Sequence, residues 1–150
     1  MPVQETPHEI YPLDLLLLAD PEESVVRSYL SRSLCFTLNI ENKIVGGYLL
    51  LPTRPGTMEL VNIAVYEEYQ RRGYARQLVS HSIAEAKTRG AKTIEVGTAD
   101  SSFGPLALYR GAGFRLTGVD RDFFVRHYSE PVLDNGIQCR DMLRLTLDLD

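Results

Sequence analysis

The chain has 150 residues, a length that fits one ordinary hydrophobic core, so we expect a single domain over residues 1–150. The hydrophobic share of 44% and the charged share of 24% are typical of a soluble globular protein, and the net charge of −4 disfavours wholesale binding to nucleic acid. The longest purely apolar run, residues 15–19, is too short to span a bilayer, and the chain starts without the basic segment of a secretory signal. We therefore expect a cytoplasmic protein that binds neither a membrane nor a nucleic acid.

The two cysteines, Cys35 and Cys139, lie far apart and match no metal-ligand spacing. We expect two free thiols in a reducing compartment and no metal cofactor.

The first third of the chain predicts helices followed by a strand pair. Residues 11–19 fit either a helix that begins near Pro12 or a buried strand. Asp20 is a good N-cap for a helix that runs to about Ser33. Residues 35–40 and 44–51 then predict two strands around a turn, with Gly46 and Gly47 indicating a bulge or a close backbone approach.

One carboxylate lies in the next predicted strand, residues 57–66. Glu59 shares strand parity with the apolar Val61, Ile63 and Val65, so its side chain should be partly buried. Burial would raise its pKa towards the range in which a carboxylate accepts a proton near neutral pH. The alternative is a solvated or ion-paired residue at the edge of the sheet.

A glycine turn joins this strand to a helix over residues 76–89. Gly73 lets the backbone turn its N–H groups outward, and the helix start adds a positive dipole end. Arg71, Arg72 and Arg76 add formal charge, so the junction predicts a site for a phosphate-bearing ligand.

The remaining elements alternate between strands and helices. Residues 92–98 predict a strand parallel to the one before the turn, and residues 105–111 a short helix that carries Leu108 and Tyr109. Strands at 114–119 and 141–149 flank a long connection, residues 120–140.

Together these features resemble the GCN5-related N-acetyltransferases (GNATs). Residues 70–75 match their Q/R-x-x-G-x-G/A signature with Ala75 in the last position, and an acidic strand residue, a helical tyrosine and the Gly113-Phe114 pair occur in the same order. The resemblance runs from about Lys43 to the C-terminus. It implies an α/β fold of the α+β type, with a mixed, mostly antiparallel sheet flanked by helices and a V-shaped splay between the central parallel strands.

The resemblance also implies an acetyl-CoA site without a metal. The pyrophosphate would bind at the signature, and the pantetheine would pair with the backbone of the splayed strand and lie along the short helix. Ser102 would cap that helix or touch the cofactor. The implied cofactor-binding residues are Ile63, Ala64, Val65, Gln70, Arg71, Arg72, Gly73, Tyr74, Ala75, Arg76, Ser102 and Leu108.

Two residues match catalytic positions of the family. Glu59 lies eleven residues before Gln70 and would be the base, directly or through water. Tyr109 would protonate or hydrogen-bond the leaving thiolate; the alternative is a core tyrosine whose hydroxyl is satisfied by backbone. The expected reaction is direct acetyl transfer to a primary amine, because neither cysteine is placed to carry the acyl group.

The acceptor is open at this point. A small cationic amine, a protein lysine or N-terminal amine, and a non-catalytic acyl-CoA-binding module are the alternatives. The long connection contains acids that could attract a cation and aromatics that could wall a pocket, and a homodimer contact is its other interpretation: Asp120, Asp122, Phe123, Phe124, Tyr128, Glu130 and Asp134.

Overall fold

Seven strands form one sheet, with a separate two-stranded hairpin beside it, in the computed structural model, which describes residues 2–150. The strands are β1 (Val3–Glu5), β2 (Leu34–Ile40), β3 (Lys43–Arg54), β4 (Thr57–Val65), β5 (Thr93–Ala99), β6 (Arg115–Asp120), β7 (Leu133–Asp134), β8 (Ile137–Gln138) and β9 (Met142–Asp148). The helices are α1 (Leu13–Ala19), α2 (Glu23–Leu30), α3 (Tyr74–Thr88), α4 (Phe103–Gly111) and α5 (Phe123–His127).

The sheet order is β1-β2-β3-β4-β5-β9-β6, and only β4 and β5 run parallel. This confirms the predicted mixed, mostly antiparallel sheet. The alternation of side chains along each strand buries two clusters on opposite faces. Tyr48 and Leu50 pack with Leu78 of α3, whereas Leu49 packs with Leu15 of α1.

The two parallel strands separate halfway along their length. Thr57–Leu60 of β4 pair with Thr93–Val96 of β5, and no pairing between the two strands continues beyond Leu60. The pairing of β4 with β3 shifts by one residue at the same level, because Leu50 pairs with Leu60 but Leu49 pairs with Asn62. Val61 is therefore a bulge, and a bulge bends the strand that contains it. The predicted splay is confirmed.

The N-terminal helices differ from the prediction in one important place. The ambiguous run is a helix, α1, but α2 begins only at Glu23, and the structure places Asp20 at the C-terminal end of α1 rather than at an N-cap. No side chain caps α2, and the Asp20 carboxylate accepts hydrogen bonds from Tyr29 and Tyr128 instead. The N-cap prediction was wrong, because Asp20 ends α1 instead of directly preceding α2, and two tyrosine hydroxyls bind its carboxylate.

The glycine pair of β3 confirms the predicted close approach. A Cβ on Gly47 would collide with the hydroxyl of Tyr11 and the carbonyl of Phe36, and a Cβ on Gly46 would lie 2.8 Å from the carbonyl oxygen of Ala64. The space left by Gly47 is occupied by the Tyr11 hydroxyl, which donates to Phe36 O at 3.0 Å. Glycine is required here by space rather than by backbone conformation.

Within residues 2–150 no helix combines the length and the apolar composition that a membrane crossing requires.

Candidate active site

The turn before α3 has the geometry of an anion site. Arg71 and Gly73 both adopt left-handed backbone conformations, with φ of 66° and 85°. Gln77 is the first residue of α3 whose N–H bonds to the preceding turn, at 3.1 Å from Gly73 O, and the N–H groups of residues 72–76 have no partner among residues 2–150. Free N–H groups at a helix start bind anions, and the exposed Arg71, Arg72 and Arg76 add positive charge to the same segment of the chain.

Gln70 connects this turn to the splayed strand. Its side-chain Nε2 donates to the carbonyl oxygen of Val65 at 2.9 Å. A bond between the end of β4 and the start of the turn holds the two parts of a cofactor site in fixed relation. The side chain of Gln70 therefore acts within the protein, whereas the turn that follows it presents N–H groups to a ligand.

The edge of β4 that faces the gap is formed by alternate residues. The N–H of Tyr66 donates to the carbonyl of Val45 in β3 at 2.9 Å. Because backbone groups of successive residues point to opposite sides of a strand, Ala64 also points to β3, whereas Ile63 and Val65 point to the gap. The backbone of Ile63 and the N–H of Val65 thus suit a pantetheine arm, whereas the Val65 carbonyl accepts from Gln70. The backbone of Ala64 faces β3, so Ala64 only lines the wall of the cleft.

A cleft of about 490 Å³ lies in the gap between β4 and β5. Among the predicted site residues, those that line it are Ile63, Ala64, Val65, Gln70, Ser102 and Tyr109. The predicted residues that do not line it are Arg71, Arg72, Gly73, Tyr74, Ala75, Arg76 and Leu108, together with Glu59. The anion site therefore lies outside the cleft mouth, as expected for a long ligand with its phosphates at one end.

Tyr109 is 5% exposed and packs its ring edge against Phe114, with the ring centroids 6.0 Å apart. None of the hydrogen bonds among residues 2–150 involves its hydroxyl, which is therefore accessible from the cleft that the residue lines. The alternative of a core tyrosine satisfied by backbone therefore does not describe this site. Burial raises the pKa of Tyr109, so the hydroxyl keeps its proton and is available as a donor.

Glu59 lies on a different face of the sheet from the one that strand parity predicted. The bulge at Val61 reverses the alternation, so Glu59 faces the same side as Asn62 and Ala64 rather than Ile63 and Val65. A carboxylate oxygen lies 3.6 Å from Nη1 of Arg144, and the side chain is 19% exposed. Burial raises the pKa of Glu59, and Arg144 opposes that rise.

Arg144 is a site residue that the sequence did not indicate. Its guanidinium contacts Glu59, lies 3.3 Å from Asp120 Oδ2 and stacks over the ring of Phe123, 5.8 Å from the centroid. It lies on β9, which pairs with β5 in the sheet. The sequence of β9 shows apolar and polar residues in alternation, and this pattern does not indicate that one of the polar residues contacts a carboxylate on another strand.

Ser102 does not cap α4. It occupies the N-cap position, but its hydroxyl donates to Asp134 Oδ2 at 2.7 Å, and no side-chain cap bond forms. The capping alternative was wrong, because the hydroxyl oxygen that would accept from the first N–H groups of α4 is instead held towards the Asp134 carboxylate on the β7–β8 hairpin.

The long connection covers the cleft. It folds into α5 and the β7–β8 hairpin, and the hydroxyl of Tyr128 donates to Asp20 Oδ1 at 2.7 Å. Ser129 donates to Glu22 through both its N–H, at 2.8 Å, and its hydroxyl, at 2.6 Å. Phe124, Tyr128 and Asp134 line the cleft. The connection and the α1–α2 loop are thus joined over one end of it.

Both cysteines are buried free thiols. Within residues 2–150, no three His, Cys, Asp or Glu side chains converge as metal ligands would.

Comparison with known proteins agrees with this geometry. The family model for the acetyltransferase (GNAT) family matches residues 4–114. An uncharacterized N-acetyltransferase from Bacillus subtilis (strain 168), YvbK, is 53% identical over 146 residues, which cover 97% of this chain and 93% of the relative. The structure of an IAA acetyltransferase from Bacillus cereus ATCC 14579 matches with a TM-score of 0.95 at 44% identity over 98% of both chains.

A GNAT family acetyltransferase from Elizabethkingia anophelis, solved with acetyl-CoA bound, has a TM-score of 0.93 at 40% identity, and 98% of both chains is covered. The chain therefore belongs to the GNAT family, and it is an acetyl-CoA-dependent N-acetyltransferase.

Proposed function

We propose that the protein transfers the acetyl group of acetyl-CoA to a primary amine of a small cationic acceptor that binds in the cleft. The charge of the cleft carries this proposal. Its lining contains two carboxylates, Asp20 and Asp134, and no Arg, Lys or His among residues 2–150. A cleft with charges of one sign attracts ligands of the other sign, so a protonated amine fits better than a carboxylate-bearing acceptor.

The three arginines beside the cleft are separated from these carboxylates. Arg71, Arg72 and Arg76 lie in the same exposed segment as the free N–H groups at the start of α3, which fit a pyrophosphate, and none of the three lines the cleft. The backbone of Ile63 and the N–H of Val65 face the gap and fit the amide groups of a pantetheine arm, whereas the Val65 carbonyl already accepts from Gln70. An anionic cofactor and a cationic acceptor would therefore approach two distinct regions of opposite charge.

Bound acetyl-CoA supplies an acetyl thioester. The amine nitrogen bonds to the acetyl carbon while the carbon–sulfur bond breaks, and the amine loses a proton. Glu59 takes that proton through water, because it does not itself line the cleft, and its raised pKa makes it a better base than an exposed carboxylate. Tyr109 donates its hydrogen to the departing thiolate from within the cleft. Holding both reactants in one cleft supplies much of the rate.

The test is CoA release from acetyl-CoA with amines of matched size and different charge. We expect turnover with polyamines or aminoglycosides and little with amino acids of similar length. A protein-only blank corrects for Cys35 and Cys139. Turnover only with neutral or anionic amines would contradict the proposal, and turnover only with basic peptides would assign a protein lysine or N-terminal amine as the acceptor.

A further inference from the structure

Asp20 is a buried carboxylate that no cation neutralises among residues 2–150. It is 8% exposed, lines the cleft, and takes part in none of the ion pairs that the described residues form. Removing a carboxylate from water is costly unless it is paired, so buried charges normally have a counter-ion. A cation brought by a ligand would supply it.

Two tyrosine hydroxyls orient this carboxylate. Tyr29 donates to Oδ2 at 2.8 Å and Tyr128 donates to Oδ1 at 2.7 Å. Burial and then the charge of Asp20 raise the pKa of both hydroxyls, so both keep their protons and act as donors. Each carboxylate oxygen can accept further hydrogen bonds. Burial raises the pKa of Asp20, and the hydrogen bonds from Tyr128 and Tyr29 oppose that rise. The tyrosines therefore hold Asp20 in place and favour its charged form, and a bound ammonium would favour it further.

The network continues to the reacting end of the cleft. Asn62 Nδ2 donates to the hydroxyl of Tyr29 at 3.1 Å and to the carbonyl of Leu16 at 3.1 Å. Asn62 precedes Ile63, whose backbone faces the gap. One connected set of bonds thus joins the splayed strand to Asp20 and, through Tyr128, to the connection that covers the cleft.

We propose that Asp20 binds a second, non-reacting ammonium group of the acceptor, so that the acceptors of this enzyme are diamines or longer polyamines. This inference rests on the proposed function, because it requires a cationic amine in the cleft. One nitrogen of the acceptor reaches the thioester and loses its proton to Glu59. The other nitrogen stays protonated and pairs with Asp20, while Asp134 remains available to a third nitrogen.

The test compares putrescine with the amino alcohol of the same chain length, which has the same reacting amine but a hydroxyl in place of the second ammonium. For the wild-type enzyme we expect the amino alcohol to have an acceptor KM about tenfold higher, because a charge-assisted contact is lost. In Asp20→Asn the KM for putrescine should rise to that of the amino alcohol, and the preference should disappear. The KM for acetyl-CoA should stay within about twofold.

Two further variants separate recognition from folding. Glu23→Gln removes a carboxylate from an exposed pair with Arg27 on α2 and should leave the preference intact. Tyr128→Phe keeps the Asp20 charge but removes one orienting hydroxyl, so we expect a smaller rise in the putrescine KM, about threefold. A merely structural Asp20 would instead lower the Tm and change both KM values alike.

A folded Asp20→Asn enzyme that still prefers putrescine overturns the inference, and so does a fall in kcat alone, which would make Asp20 a proton acceptor. If Asp20→Asn does not fold, the wild-type comparison decides, since equal KM values for the two acceptors overturn the inference. Turnover with monoamines or basic peptides but not with diamines also overturns it, while acetyl transfer itself stands. Turnover confined to neutral or anionic amines contradicts the proposed function as well.

Discussion

The side-chain amide of Gln70 donates to the carbonyl oxygen of Val65 at 2.9 Å and so joins the anion-binding turn to the strand that opens the cleft. The bond adds a side-chain link to the short helical turn, Glu67–Tyr69, that connects the end of β4 to Gln70. The bond explains why a residue with a side-chain N–H donor suits the first position of the signature. It also makes a prediction about cofactor affinity.

Gln70→Ala should weaken acetyl-CoA binding about fivefold to tenfold, the equivalent of one lost hydrogen bond, because the turn is no longer held against β4. Isothermal titration with acetyl-CoA measures this. Gln77→Ala, an exposed position on the same helix, is the matched control and should bind normally. Equal affinities for the two variants would mean that the bond does not position the site.

Gly73 should be sensitive to charge more than to size. Its φ is 85°, and a Cβ built on it meets nothing within 4 Å among residues 2–150, so a side chain is strained by the backbone but not crowded. Asn and Asp tolerate this conformation better than most residues. We expect Gly73→Asn to bind CoA within about tenfold of wild type, and Gly73→Asp to lose about 100-fold by repulsion of the phosphates.

The control for Gly73 is Gly90, which has the same φ of 85° at the other end of α3 and equally open surroundings. Gly90→Asp should lower the free energy of unfolding by a similar amount and leave CoA affinity unchanged. If Gly73→Asn and Gly73→Asp bind CoA equally well, the phosphates do not lie at this turn.

Tyr109→Phe should lower kcat about 100-fold with little change in acetyl-CoA affinity, because the lost group is a proton donor rather than a packing element. Its stability should be unchanged, since the hydroxyl has no partner among residues 2–150. Tyr11→Phe is the opposite case: it loses a buried bond to Phe36 O, so it should cost about 1 kcal/mol of unfolding free energy and leave kcat intact. Full activity of Tyr109→Phe would leave Tyr109 as a packing residue only.

Glu59→Gln should remove the acidic limb of the pH profile of kcat/KM. The limb in the wild-type enzyme should lie above the usual pKa of 4.5, because burial, the largest effect, raises the pKa of Glu59. Glu130→Gln, an exposed carboxyl on the connection, is the control. A profile unchanged by Glu59→Gln would assign the base to another group.

The same shift predicts how stability changes with pH. The folded state holds the proton of Glu59 more tightly than the unfolded state, so its contribution is fully present below pH 4.5 and is lost as the pH rises through the folded pKa. Glu59→Gln should therefore match the wild type in acid and be the more stable protein at pH 8. Urea unfolding at both pH values measures this, and a variant that is less stable at pH 8 would show that the ion pair with Arg144 outweighs burial.

Most helices and strands could be predicted from the pattern of apolar and polar residues within each segment. Periodicity placed α3 and β5 to within two residues, because an amphipathic repeat is visible within one helix or one strand. The signature was likewise recognisable from six consecutive residues, since a glycine turn before a helix acts through its own backbone. The predicted splay came from family resemblance and not from any residue in β4.

The amino-acid sequence by itself determined the secondary structure around the signature and the anion-binding turn. It also showed Glu59 and Tyr109 in the order and spacing that the family has. Tertiary structure alone decided the face on which Glu59 lies, because one bulge residue, Val61, reverses strand parity. It also decided the partners of Asp20 and Arg144. Tyr128 is 108 residues from Asp20 in the chain. The hydrogen bond between them depends on how the connection folds back over the cleft. Local sequence pattern does not indicate which residues so far apart in the chain come together in space.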